Sequence, residues 1–291
     1  MMNICLINNY NYARFLEQAL RSALDQDIPF DRIIVVDDGS KDESLEIIGS
    51  YENEQVRIIR KANGGQLSAF NAALPLIPEA SRVFFLDADD VYSPDYLKET
   101  LKALSALPTP VDFSFCDDAT FTEAAPIRQS AIGPAGVEPI LYSNTSALTR
   151  HHRLWIGNPT SSLSISGTLL HRILPCPLEA DWRIRADDVL IYAASIADSQ
   201  KVHLKGLHFN YRIHGNNAFF GRQASVLKKL EHQIRLERFF NWCGHQFGYP
   251  HAAPGKRLVA EFRAFPKAAR RRHSLGIGRR LSWRLKQLFG I

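Results

Sequence analysis

Apolar and polar positions alternate along the first hundred residues with two different periods. Ile4-Cys5-Leu6-Ile7 is a short continuous apolar run, the pattern of a strand buried on both faces. Phe15, Leu16, Ala19, Leu20, Ala23 and Leu24 then recur at helical spacing. Asp31-Arg32-Ile33-Ile34-Val35-Val36 predicts a second buried strand, stopped by Asp37-Asp38-Gly39. Ser40 followed by Glu43 reads as a capping box, so a helix carrying Leu45, Ile47 and Ile48 is expected from there. Val56–Ile59 predicts a third strand, Gly65–Leu74 a helix and Val83–Leu86 a fourth strand. Such alternation predicts an α/β fold with a mostly parallel sheet flanked by helices.

Beyond Leu107 the pattern loosens. Pro108 and Pro110 mark a loop, Val111–Phe115 suits a further strand, and Thr120–Arg153 reads as a long connection. Order returns at Ser162–Leu170, followed by a helix at about Ala186–Ala197, a strand over Gly206–Ile213 and a helix from about Ala224 to Trp242. In parallel sheets ligands bind beyond the carboxyl ends of the strands. The polar clusters Asn8–Asn11, Asp37–Ser40 and Asp87–Asp90 all fall at that edge.

Composition adds two constraints. The four cysteines are widely spaced with no Cys-x-x-Cys pair, so reduced thiols are expected rather than a metal cluster or a disulfide framework. No apolar run of membrane-spanning length and no signal peptide is visible. Charge, in contrast, is lopsided. Lys256 to Ile291 holds eleven Lys and Arg against one Glu, leaving about −5 for residues 1–255. Leu281, Leu285, Leu288 and Phe289 form a helical stripe beside Arg280, Arg284 and Lys286, with Trp283 interleaved. This basic amphipathic tail is expected to lie on an anionic membrane surface, and no nucleic-acid partner is expected. The expected location is cytoplasmic, peripheral on the inner face of the membrane.

Asp87, Asp89 and Asp90 end an otherwise apolar strand. Clustered carboxylates there repel one another unless a cation relieves them, and hard divalent cations take oxygen ligands. Asp90 is also placed to cap the next helix. Asp37 or Asp38 can accept from a base or ribose, or simply shape a tight turn. Asn63-Gly64-Gly65-Gln66 permits close approach of phosphate or sugar but lacks the spacing of a dinucleotide fingerprint or a P-loop.

In order and spacing, Ile4–Leu24, Arg32–Glu43, Asn63–Leu74 and Val83–Leu97 resemble the donor-binding half of the family 2 glycosyltransferases, which have the GT-A fold. The likeness continues more loosely through Ala186–Asp188 and Tyr211–Asn217. It implies a GT-A domain over residues 1–217 and a helical, basic extension over 218–291. The implied reaction is inverting transfer of a sugar from a nucleotide diphosphate sugar to a glycan or lipid-linked acceptor, with Mn2+ or Mg2+. Asn8, Asn9 and Tyr10 would line base and ribose, Asp37 or Asp38 would contact the base, and Asp87 the ribose. Asn63 and Gln66 join the nucleotide-sugar set. Asp89 would ligate the metal, with His214 as a third ligand or a diphosphate contact, and Arg212 near the diphosphate or paired to an acid. Asp187 or Asp188 would be the general base, Asp188 ranked first and Asp181 an outside candidate. Two positions depart from the family pattern: Asn8 replaces a Pro and Phe70 an Arg. The rival readings are an inactive membrane-bound scaffold and a sugar-phosphate nucleotidyltransferase. The latter wants a Gly-rich loop with a basic residue that Asn8–Asn11 does not supply.

Overall fold

The computed structural model describes residues 1–122, 127–142, 144–215 and 225–248. The basic tail after Lys256 and the expectation attached to it lie outside the described residues.

β1 (Met2–Asn9), β2 (Arg32–Asp37), β3 (Val56–Arg60) and β4 (Ser81–Asp87) are parallel, in the spatial order β3-β2-β1-β4. Alternate residues of each strand feed opposite faces. Ile4, Leu6, Ile34, Val36, Val83 and Phe85 join one core, whereas Cys5, Ile7, Ile33, Val35, Phe84 and Leu86 join the other. That double burial is why the strands read as unbroken apolar runs. α1 (Ala13–Leu24), α2 (Ser44–Gly49) and α4 (Tyr96–Ser105) cover the second face through residues such as Leu16, Leu20, Ile48 and Leu97. α3 (Gln66–Ala73) covers the first through Leu67 and Phe70.

The sheet continues past β4 with mixed direction. β7 (Leu163–Ser166) runs antiparallel between β4 and β5 (Phe113–Phe121). β8 (Lys201–Arg212) follows parallel to β5, and β6 (Glu138–Tyr142) closes the edge antiparallel to β8. α5 (Thr145–His152), α6 (Gly167–Ile173), α7 (Ala186–Ile196) and α8 (Val226–Phe247) complete the chain order, and Phe239, Phe240 and Cys243 of α8 enter the first core.

Two expectations change. Thr120–Arg153 is not simply a connection, since it holds the end of β5, the edge strand β6 and helix α5. Nor does Ser40 cap a helix. Its hydroxyl accepts from the Asn11 N–H at 2.9 Å and the Asn9 amide at 3.1 Å, while α2 begins at Ser44. Asp42 does that work instead, accepting from Ser44 N–H at 3.1 Å and, across the gap, from Ala13 N–H at 2.9 Å.

Candidate active site

The strand ends build the site by register. Asn8 lies opposite Asp87 on β4, and Asn9 opposite Asp37 on β2. Asn8 accordingly hydrogen-bonds Asp87, and Asn9 donates to Asp37 at 2.8 Å. Asp37 is buried, its other oxygen accepting the N–H groups of Gly39 and Ser40. It shapes the turn, and Gly39 sits at φ +78° where an added Cβ would lie 2.8 Å from the Asn63 nitrogen. Asp38 reaches forward: it accepts from Gly64 N–H at 2.9 Å, Gly65 N–H at 2.6 Å and the Lys61 ammonium at 2.6 Å. That carboxylate therefore holds the Asn63–Gln66 segment over the strand ends.

A cavity of about 640 Å3 opens at this edge. Asn8, Asn9, Tyr10, Asp38, Asn63, Gln66, Asp87, Asp89 and Asp187 all line it; Asp37, Asp188 and His214 do not. Asp90, Trp155, Thr160, Arg183 and Tyr211 complete much of the wall. Of these Trp155, Thr160 and Arg183 had no signal in the spacing of motifs. The run Thr160-Ser161-Ser162 just before a buried strand is the one hint the sequence offered.

Asp87, Asp89 and Asp90 offer oxygens that all lie within 4.8 Å of one another. Burial, then the charge of Asp89, pushes the Asp87 carboxyl up to about 7, against hydrogen bonds from Asn8, Thr160 and Gln66. Asp90 is pushed well above the usual carboxylate range by burial and by its two neighbours. Both its oxygens are engaged, one by the Arg212 N–H at 3.0 Å and one by the Ser161 hydroxyl at 2.6 Å. So Asp90 anchors the turn rather than capping a helix. Asp89 projects into the cavity, and His214 lies 2.9 Å from its Oδ2, packed on the rings of Tyr12 and Phe15. An all-carboxylate set with one imidazole beside it suits a hard divalent cation such as Mn2+ or Mg2+.

Arg212 stands between the rings of Phe15 and Phe121, 4.6 Å from each, and donates to the Asp89 carbonyl at 2.7 Å and to Gln18. It is nearly buried and fixes the backbone of the acidic turn.

The facing wall comes from the first turn of α7. Asp188 is fully buried and paired with Arg185 through contacts of 3.0 and 2.8 Å. Asp187 faces the cavity, one oxygen accepting the Asp188 N–H at 3.1 Å. Burial first, then the charge of Asp188, raises the Asp187 carboxyl to about 8, with Arg185 opposing. Asp181 is taken by Arg238 of α8 at 2.8 Å and does not line the cavity.

Comparison with known proteins agrees with this geometry. The sequence profile described as "Glycosyl transferase family 2" matches residues 5–152. An uncharacterized glycosyltransferase of Nostoc sp. strain PCC 7120 is 30% identical over 236 residues, covering 80% of this chain and 71% of that protein. Chondroitin synthase of Pasteurella multocida is 37% identical over 95 residues, which cover 32% of this chain and 10% of that enzyme. Among solved structures, S. aureus TarS 1-349 in complex with UDP-GlcNAc aligns with a TM-score of 0.57 at 16% identity, covering 92% of this chain and 83% of that one. The mannosyltransferase PcManGT from Pyrobaculum calidifontis, in complex with GDP-Man and Mn2+, aligns at 0.51 with 18% identity, covering 96% and 80%. The fold is GT-A, and the protein is a glycosyltransferase. More narrowly, the chain belongs to glycosyltransferase family 2.

Proposed function

We propose that the protein transfers a sugar from a nucleoside diphosphate sugar to an acceptor hydroxyl with inversion, and that Asp187 takes the acceptor's proton. The observation that carries this reading is the shared cavity. The Asp87–Asp89 carboxylates stand on one wall and the raised carboxylate of Asp187 on another.

Asn8, Tyr10, Asp38 and Asn63 line the side suited to base and ribose. Asp89, with Asp87 and His214 beside it, would hold Mn2+ or Mg2+, which supplies positive charge against the diphosphate when bound. Direct displacement needs a base on the face opposite the leaving group. A carboxylate raised toward neutrality suits that task better than one neutralised by a guanidinium. This ranks Asp187 above Asp188, the reverse of the order taken from sequence. Asp188 instead fixes Arg185 and the start of α7. The acceptor side is the rim around Trp155, Arg183 and Ile184, and a glycan or lipid-linked acceptor fits its mixed apolar and cationic character. Among the described residues no helix is long and apolar enough to cross a membrane. Attachment through the basic tail would bring such an acceptor within reach.

Calorimetry with UDP and GDP, with and without MnCl2, tests the reading. Binding of either nucleotide that strengthens with Mn2+ is the expected result, followed by turnover of UDP-GlcNAc, GDP-Man or a related donor. Absence of nucleotide binding under every condition would refute it.

A further inference from the structure

We propose that Gln66 is a positioning residue: its side-chain amide caps the Asp187 helix from another part of the chain and ties it to the carboxylates of β4. The inference rests on the transferase reading for its catalytic consequence, but its structural half stands independently.

The residue that opens α7 supplies no side-chain cap, although Asp187 accepts the Asp188 N–H within the first turn. That opening residue, Arg185, sits at φ +64°. The first helical N–H groups have no partner within a helix and need one from outside. Ala186 N–H finds it in Gln66 Oε1 at 2.9 Å, 120 residues away in the chain. The other end of the same amide donates to Asp87 Oδ1 at 3.0 Å and to Thr160 Oγ1 at 3.2 Å. A carboxylate on one side and a backbone donor on the other permit only one orientation of the amide, since a flip would turn its oxygen on Asp87.

The backbone reinforces the side chain. Gln66 N–H donates to the Arg183 carbonyl at 2.8 Å, and Leu67 N–H to that of Trp182 at 3.2 Å. Gly65, at φ +93°, lets the two segments touch, because a Cβ there would lie 2.3 Å from the Arg183 Cα. The 182–186 segment is thus clamped onto the start of α3. Within that clamp the Gln66 side chain joins the acidic turn directly to the α7 terminus. Its hydrogen-bonding groups point to protein partners on both sides, which is how a spacer behaves. A group reserved for donor recognition would leave at least one of them free.

Two variants test this. Gln66→Met keeps length and volume but removes both ends of the bridge. Gln66→Glu keeps an acceptor for Ala186 and loses the donor to Asp87. Hydrogen exchange at the Ala186 amide should quicken several-fold in Gln66→Met and stay slow in Gln66→Glu. Unchanged exchange in the Met variant, or equal loss in both, overturns the cap. For catalysis, displacement of the base by a fraction of an ångström to 1 Å predicts a kcat about 10- to 100-fold lower in Gln66→Met. The KM for the donor, and the affinity for UDP or GDP with MnCl2, should change less than about threefold. Nucleotide affinity falling in parallel with kcat would make Gln66 a donor contact and overturn the proposal. If the wild type binds neither nucleotide, the transferase reading fails, while exchange at Ala186 still decides the cap.

Discussion

Asp187→Asn and Asp188→Asn should separate two adjacent carboxylates, of which the sequence reading puts Asp188 first. Asn at 187 keeps the shape and can still accept the Asp188 N–H now held at 3.1 Å, so α7 should start where it does. What is lost is the proton acceptor. General bases contribute about 10^2- to 10^4-fold, or roughly 3–5 kcal/mol of barrier. Turnover should fall by that factor with nucleotide affinity intact. Asn at 188 removes the charge that Arg185 contacts at 3.0 and 2.8 Å. Breaking a buried pair costs about 3–5 kcal/mol, and the low end applies because Arg185 is 34% exposed. This variant should melt earlier yet retain turnover. Its ascending pH limb should also move to lower pH, since the charge of Asp188 is among the causes raising Asp187 while Arg185 lowers it. Nucleotide release followed from pH 5 to pH 9, beside thermal melts, reads all of these. Abolished turnover in Asp188→Asn with activity kept in Asp187→Asn would refute the assignment and make Asp188 the base.

Two further outcomes follow from the same geometry. Gly65→Ala should destabilise the fold by about 2–5 kcal/mol, combining a residue forced to positive φ with a Cβ driven into the Arg183 backbone; a urea midpoint equal to wild type would contradict the clamp. Asp87 and Asp187 are raised to about 7 and about 8, so the folded protein binds more protons than the unfolded chain between about pH 4 and pH 8. Metal-free protein should therefore lose stability as pH rises through that window. Added Mn2+ should flatten the loss, whereas urea midpoints at pH 5 and pH 8 that match without metal would count against it.

The parallel half of the fold was legible because β1, β2 and β4 are buried on both faces and show as apolar runs, while the shorter edge strand β3 interleaves Val56, Ile58 and Ile59 with exposed arginines. The same criterion fails for β6, whose exposed residues and Pro139 make it an edge strand without a clear period. It fails for the far end of β5 as well, where Asp117, Asp118 and Thr120 break the run after a bulge. At the site, sequence order placed the carboxylates at the right strand ends. It ranked Asp188 ahead of Asp187, whereas the first turn of α7 presents Asp187 to the cavity and pairs Asp188 with Arg185, an orientation that motif spacing does not carry. Nor could it foresee that Asp90 is consumed by Ser161 and the Arg212 N–H, contacts 71 and 122 residues away in the chain.

The antiparallel course of β7 has a consequence for how this enzyme comes into being. The four parallel strands are complete by Asp87 and their covering helices by Ser105, but Arg82 pairs with Ser166 and Asp90 with residues beyond 160. Long-range closures of this kind form late, after shorter-range contacts have been made. A nascent or truncated chain ending before residue 160 would hold the acidic turn without its anchors and without the facing helix. The partly made protein would thus be inert, and catalytic competence would arrive only as the last strands dock.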